Sequence, residues 1–203
     1  MKAHNLNDVL TQLQAVPKVS VKTENPSELP EYRFLTERSD ALRWVRGLAN
    51  LNADKFPIKE VLEDALNISV HYEAMDGKEE LSGYIEKRAN GWHIGVNKYE
   101  VEGRQRFTMA HELGHLLFHR DIIQDQMVDG KFVEAIKLFR SQESFKRVEM
   151  QANQFSADLL MPSDRVRLLW DKFADYTDIA DIFGVSTYAV EYRGRTLKLP
   201  AKQ

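Results

Sequence analysis

Between residues 67 and 97 apolar and polar side chains alternate, whereas on either side apolar residues recur every three or four positions. Ile68, Val70 and Tyr72 alternate with Ser69, His71 and Glu73; Leu81, Gly83 and Ile85 follow; Trp92, Ile94 and Val96 alternate with His93 and Gly95. A period of two belongs to a half-buried strand, because successive side chains leave a pleated backbone on opposite faces. Asp76-Gly77 and Asn90-Gly91 separate the runs, and such pairs favour the tight turns of hairpins. The block therefore predicts a three-stranded antiparallel meander. Upstream, Leu42, Val45, Leu48 and Leu51 form a helical stripe that Ser39 or Asp40 can cap. Pro57 opens a second helix carrying Ile58, Val61, Leu62, Ala65 and Leu66. Downstream, helical spacing runs over about 104–119, 130–140, 143–160, 163–173, 175–183 and 186–195. Helices, a small sheet and more helices make an α+β order: a small antiparallel three-stranded sheet packed on a helical core.

The chain has 203 residues, 43% hydrophobic and 29% charged, enough apolar material for a proper core. Residues 5–15 read as a short helix, with Leu6, Val9, Leu10 and Leu13 on one stripe. Pro17, Pro26 and Pro30 then mark an extended arm. Three units are expected: an N-terminal helix and arm at 1–38, a central domain at 39–162, and a C-terminal helical region at 163–203. The 28 basic and 31 acidic residues nearly balance, which argues against a generic nucleic-acid or membrane binder. No apolar run approaches the roughly 18 residues that span a bilayer, and the N-terminus lacks a secretory pattern, so the expected compartment is the cytoplasm. Cysteine is absent, which excludes disulfides, thiolate metal sites and cysteine catalysis. A metal site in this chain must use His, Asp or Glu.

Residues 111–115 read His-Glu-Leu-Gly-His. On a helix, His111 and His115 lie about 40° apart around the axis and one turn from each other, so two imidazoles can converge on one ion. Glu112 lies at the edge of the same arc and can take a proton from water beside the ion without ligating it. Neutral imidazole suits Zn²⁺, the ion acidifies water, and a carboxylate accepts the proton. Phe107, Ala110, Leu113, Leu116 and Leu117 describe a buried helix, in which unsatisfied polar side chains would be costly. The plainer alternative is a pair of hydrogen-bonded core histidines.

A catalytic zinc takes three protein ligands and keeps a position open. His119 lies about 12 Å beyond His111 along the helix, too far for one helix to wrap a single ion. It reads as a helix C-terminal residue favoured by the dipole, or as a group supporting the site. Glu149 is the better candidate. It shares a helical face with Ala152, Asn153 and Ser156, which suits close packing against a second helix, with Phe155, Leu159 and Leu160 in the core and Pro162 after the helix end. On spacing alone, the commoner reading of Glu149 is a solvated surface acid, as most glutamates are.

RFTMAHELGHLLFH at 106–119 and EMQANQFSADLLMP at 149–162 together resemble the ImmA/IrrE family of metallopeptidases. The likeness is close in both blocks and weaker over about 40–197; the arm at 1–38 has no counterpart. The resemblance implies a gluzincin-like zinc site with His111, His115 and Glu149 as ligands and Glu112 as catalytic base. Ser156 stands where the family usually has alanine, a small-for-small change. The implied activity is zinc-dependent hydrolysis of a peptide bond in a regulatory protein, a helix-turn-helix repressor of a mobile element or stress response. Mn²⁺, Fe²⁺ or Co²⁺ also suit a His₂Glu site. Tyr84, His93, Tyr99 and Arg106 are candidate donors to the oxyanion. The run Trp92–Asn97 is a candidate sheet edge for an extended substrate.

Residues 178–193 look like a helix-turn-helix, with Ala180, Gly184 and Val190 at the tight positions. From Ser163 to Gln203 seven basic and six acidic residues give a net of +1, short of the basic face a DNA reader shows. Nucleic-acid contact through 178–195 is therefore the lesser expectation. The alternative to an enzyme is a non-catalytic metal-containing binding protein or a toxin–antitoxin-type partner.

Overall fold

A computed structural model describes residues 38–49, 54–75, 81–120, 131–132 and 142–202. The expected helix at 5–15, the arm, the Asp76-Gly77 turn and most of the expected helix at 130–140 lie outside these residues. The described elements are α1 (Arg38–Leu48), α2 (Ile58–Glu60, continuing as a π turn over Val61–Ala65), β1 (Ser69–Glu73), β2 (Gly83–Arg88), β3 (Gly91–Asn97), α3 (Glu102–Phe118), β4 (Lys131–Phe132), α4 (Gln142–Leu160), α5 (Ser163–Trp170), α6 (Tyr176–Phe183) and α7 (Thr187–Thr196). The fold is α+β, and most helices start and stop within a residue or two of the expected positions.

The sheet departs from the expected meander. Its order is β1-β3-β2-β4, and β1 pairs with β3 in parallel, Val70 opposite Ile94. Only β2 and β3 form the predicted antiparallel hairpin, with Ile85 opposite Ile94; the turn falls on Ala89-Asn90, one residue earlier than expected, and Gly91, at φ +133°, already pairs with Arg88 as the first residue of β3. A loop of two residues leaves its strands no choice but to pair. The longer connection from Glu73 to Gly83 leaves room for β3 between β1 and β2. β3 is accordingly central and almost wholly buried, so it offers no edge to a substrate. Lys131–Phe132, expected at a helix start, instead pairs with Glu86 and Ile85 on the outer side of β2, where that strand's backbone groups need partners.

α3 lies against one face of the sheet because β2 carries glycine at the crossing. A Cβ on Gly83 would stand 2.3 Å from Thr108 Cγ2. On its other side α3 packs against α4 through Gly114. A Cβ there would stand 3.1 Å from Phe155 Cδ1 and 3.3 Å from Ala152 Cα. Phe118 meets Phe155 edge to face at 5.4 Å between centroids, which locks the two helices farther along. The main core gathers Val45, Leu62, Ile85, Ile94, Leu113, Leu116, Phe155 and Leu159.

A second core holds the C-terminal helices: Val166, Leu169, Trp170, Ile179, Phe183 and Val190. Asp175 caps α6 by accepting from Thr177 N at 2.7 Å, Gly184 ends it at φ +64°, and Ser186 caps α7 by accepting from Ala189 N at 3.1 Å. Three buried arginines tie this unit to the main core. Arg165 forks onto Asp54 at 2.7 and 2.8 Å. Arg193 donates to the Met161 carbonyl at 3.1 Å and to Asp158. Arg106 donates to the carbonyls of Gly184 at 3.0 Å and Phe56 at 2.6 Å.

Candidate metal centre

The HELGH run occupies the middle of α3, where every residue from Thr108 to Leu117 is buried. One helical turn separates His111 from His115, and their rings stand nearly perpendicular, at 78°, with Nε2 atoms 2.9 Å apart. α4 brings Glu149 to them. Its Oε2 lies 3.3 Å from His111 Nε2 and its Oε1 lies 3.3 Å from His115 Nε2. The close contact at Gly114 and Ala152 makes this possible, because Glu149 precedes Ala152 by about one turn on the same face. Ala152 and Ser156 are buried on that face, whereas Asn153, expected beside them, is exposed.

Among the described residues, His111, His115 and Glu149 form a group whose ligand atoms lie within 4.8 Å of one another. The donor set fits a tetrahedral ion. Bonds of about 2.1 Å to a tetrahedral centre place ligand atoms about 3.4 Å apart, close to the 2.9, 3.3 and 3.3 Å found here. The side chains are well shielded, with His115 fully buried and Glu149 at 17% exposure. Phe107 stacks on His111 from the preceding turn, at 6.2 Å between centroids. Glu112 is 2% exposed, and its Oε1 would lie 3.7 Å from a Cβ at Gly83. Gly83 thus lets Thr108 and the helix carrying this carboxylate lie directly against the sheet.

His119 caps the C-terminal end of α3, but as a buried group rather than a charge on the dipole. Its Nδ1 meets His115 Nδ1 at 3.1 Å and its Nε2 meets Gln151 Oε1 at 2.9 Å. Burial pushes its pKa down to about 4; the Gln151 bond opposes this, and the neighbouring His115 and His111 reinforce it. His119 is therefore neutral at neutral pH. Sequence reasoning missed Gln151 altogether. The available signal was the repeat of His at 111, 115 and 119, which places His119 one turn beyond His115 on the same stripe.

Three of the four candidate oxyanion donors are engaged elsewhere. Gly83 faces α3, so Tyr84 faces away; its ring covers Gly95 and its hydroxyl donates to Glu73. Burial and that bond raise the Tyr84 pKa. His93 bonds to His71 and Asn90 at 2.9 Å each. Arg106 is committed to its two carbonyls. Tyr99 is 71% exposed in the turn before α3.

The model of the IrrE N-terminal-like domain, Peptidase_M78, matches residues 63–194, well over half of the chain and the whole of this centre. The chain belongs to the ImmA/IrrE family of metallopeptidases. No curated protein matches it in sequence. Among solved structures, a Mycobacterium tuberculosis transcriptional regulator shares the fold at a TM-score of 0.54 and 18% identity. That alignment covers 84% of this ImmA/IrrE-family chain and 50% of the regulator, so the chain spans about half that protein's length. Among the described residues no helix is long and apolar enough to cross a membrane.

Proposed function

We propose that this chain is a zinc-dependent endopeptidase of the gluzincin type, acting in the cytoplasm on a regulatory protein of the helix-turn-helix repressor class. The convergence of His111, His115 and Glu149 beside the buried Glu112 carries this reading. His111 and His115 would hold the ion through Nε2 and Glu149 through its carboxylate; Mn²⁺, Fe²⁺ or Co²⁺ can replace Zn²⁺ in such a donor set. Bound there, the ion supplies Lewis acidity to a carbonyl and to water. Glu112 accepts the proton of the attacking water and passes it to the departing amide nitrogen as the C–O bond forms and the C–N bond breaks. The rigid seat of α3 between sheet and α4 keeps that carboxylate in place.

Residues 39–162 would form the zincin-like catalytic unit and 163–203 a helix-turn-helix-like unit that braces it. Arg193 of α7 points inward to Asp158 and Met161, and the exposed face offers Tyr188, Tyr192 and an Arg195–Glu191 pair at 2.9 Å. Such a face suits protein contact or solvent better than a phosphate backbone.

Elemental mass spectrometry on wild type and Glu149→Ala tests the centre. About one zinc per chain, lost or much weakened in the variant, is the expected result, and full retention would remove Glu149 from it. Glu112→Gln should keep the metal and lose roughly 10²–10⁴-fold in peptide hydrolysis. Unchanged biological function in Glu112→Gln would instead favour the non-catalytic regulatory reading. The description of the M. tuberculosis neighbour as a transcriptional regulator is the observation on its side.

A further inference from the structure

We propose that His119 and Gln151 form a hydrogen-bonded relay that fixes the tautomer of His115 and so holds it as a metal ligand. The inference rests on the metal-centre reading above and assigns roles to two residues outside the ligand set. His115 presents Nε2 to His111 and Glu149, and presents Nδ1, on the other side of the same ring, to His119. His119 is thus a neighbour of the ligand and not a fourth ligand.

The protons can be assigned. Two Nδ1 atoms face each other at 3.1 Å, so one carries a hydrogen and the other accepts it. An imidazole that binds an ion through Nε2 carries its hydrogen on Nδ1. His115 is therefore the donor and His119 Nδ1 the acceptor. With Nδ1 accepting, His119 carries its hydrogen on Nε2, which points at Gln151 Oε1, 2.9 Å away. Both ring nitrogens of His119 and the Gln151 carbonyl oxygen then have partners of the right kind. Turning the Gln151 amide so that its NH₂ faces His119 reverses each bond: His119 would donate from Nδ1, and the His115 hydrogen would move to Nε2, where the ion must bind. The Gln151 carbonyl thereby selects the metal-competent tautomer two residues away in the relay.

Placement supports the assignment. His119 is 4% exposed and His115 fully buried, so the bond between them is shielded from water, whereas Gln151 reaches it from an exposed position on α4. His119 follows its ligand by one turn of α3, and Gln151 follows Glu149 by two residues on α4. The same two helices therefore supply both ligands and supports. A neutral amide polarises His115 less than a carboxylate would, so the relay orients the ring and only modestly raises its basicity.

The test is zinc affinity by chelator competition on the full chain, with ¹⁵N NMR of the histidine rings in the zinc-loaded protein. His119→Phe keeps a buried ring and removes the acceptor, and should weaken zinc by about 10–100-fold with the far-ultraviolet spectrum unchanged. His119→Asn restores a carbonyl near the Nδ1 position and should recover much of that loss. Gln151→Met should weaken zinc in the same direction but less, and Gln151→Glu should bind at least as tightly as wild type. The NMR spectra should show hydrogen on His115 Nδ1 and His119 Nε2. Zinc affinity of His119→Phe within about twofold of wild type, or His119 protonated at Nδ1, would overturn the relay alone. A wild-type chain that takes up no zinc would overturn the metal-centre reading and the relay with it.

Discussion

His93 illustrates how burial changes what one titratable side chain contributes. It is 3% exposed on the sheet face opposite α3, hydrogen-bonded to His71 and Asn90. Burial, then Arg88 and His71, hold its pKa below the ordinary 6.5, with Glu86 opposing. Below about pH 6.5 the unfolded chain therefore binds a proton that the folded chain refuses. Stability is unaffected above that pH and declines as pH falls from there through the folded-state pKa. Urea midpoints should drop between about pH 7 and pH 5 and drop less in His93→Gln; equal slopes in the two proteins would remove His93 as a cause. The same scale shows why some roles are legible in the chain and others are not. His111, Glu112 and His115 stand in a fixed relation because one helix spaces them. The partners of Tyr84, His93 and Arg106 come from other elements, and no local spacing announces them.

At the scale of elements, the contact between α3 and α4 decides whether Glu149 reaches the histidines. Gly114→Val places a branched side chain where even a Cβ meets Phe155 and Ala152 at 3.1 and 3.3 Å. We expect a loss of about 1–3 kcal/mol in urea unfolding from overpacking, together with weaker zinc binding as α4 is pushed outward. Wild-type zinc affinity in Gly114→Val would show that this contact does not place Glu149. Helices were readable because their apolar stripes are local, and so was the β2–β3 hairpin, whose two-residue turn leaves one possible pairing. The partner of β1 was not readable. Alternation in Ile68–Tyr72 tells which side chains face the core and not which strand lies alongside. The π turn at Val61–Ala65 likewise has no mark in the residue pattern that we can identify.

Across the whole molecule, two apolar cores are joined by a few buried guanidinium groups. Arg165→Ala would leave Asp54 ionised in a site that is 9% exposed, without its fork of two hydrogen bonds. Breaking such a pair from one side costs about 3–5 kcal/mol. The expected readout is a lowered urea midpoint, largely recovered when Asp54→Leu is added to Arg165→Met. An unchanged midpoint in Arg165→Ala would mean that the C-terminal helices are held without this pair. The strand order β1-β3-β2 has a different consequence, for the chain as it is made. The ribosome releases the two flanking strands first and the middle one last, so neither β1 nor β2 has its inner neighbour until residue 97 has emerged. Any direct pairing of β1 with β2 formed in that interval must be surrendered to let β3 in. The ligands on α3 and α4 follow later still. Glu149, the last of the three proposed ligands, is thus made only after all three of these strands.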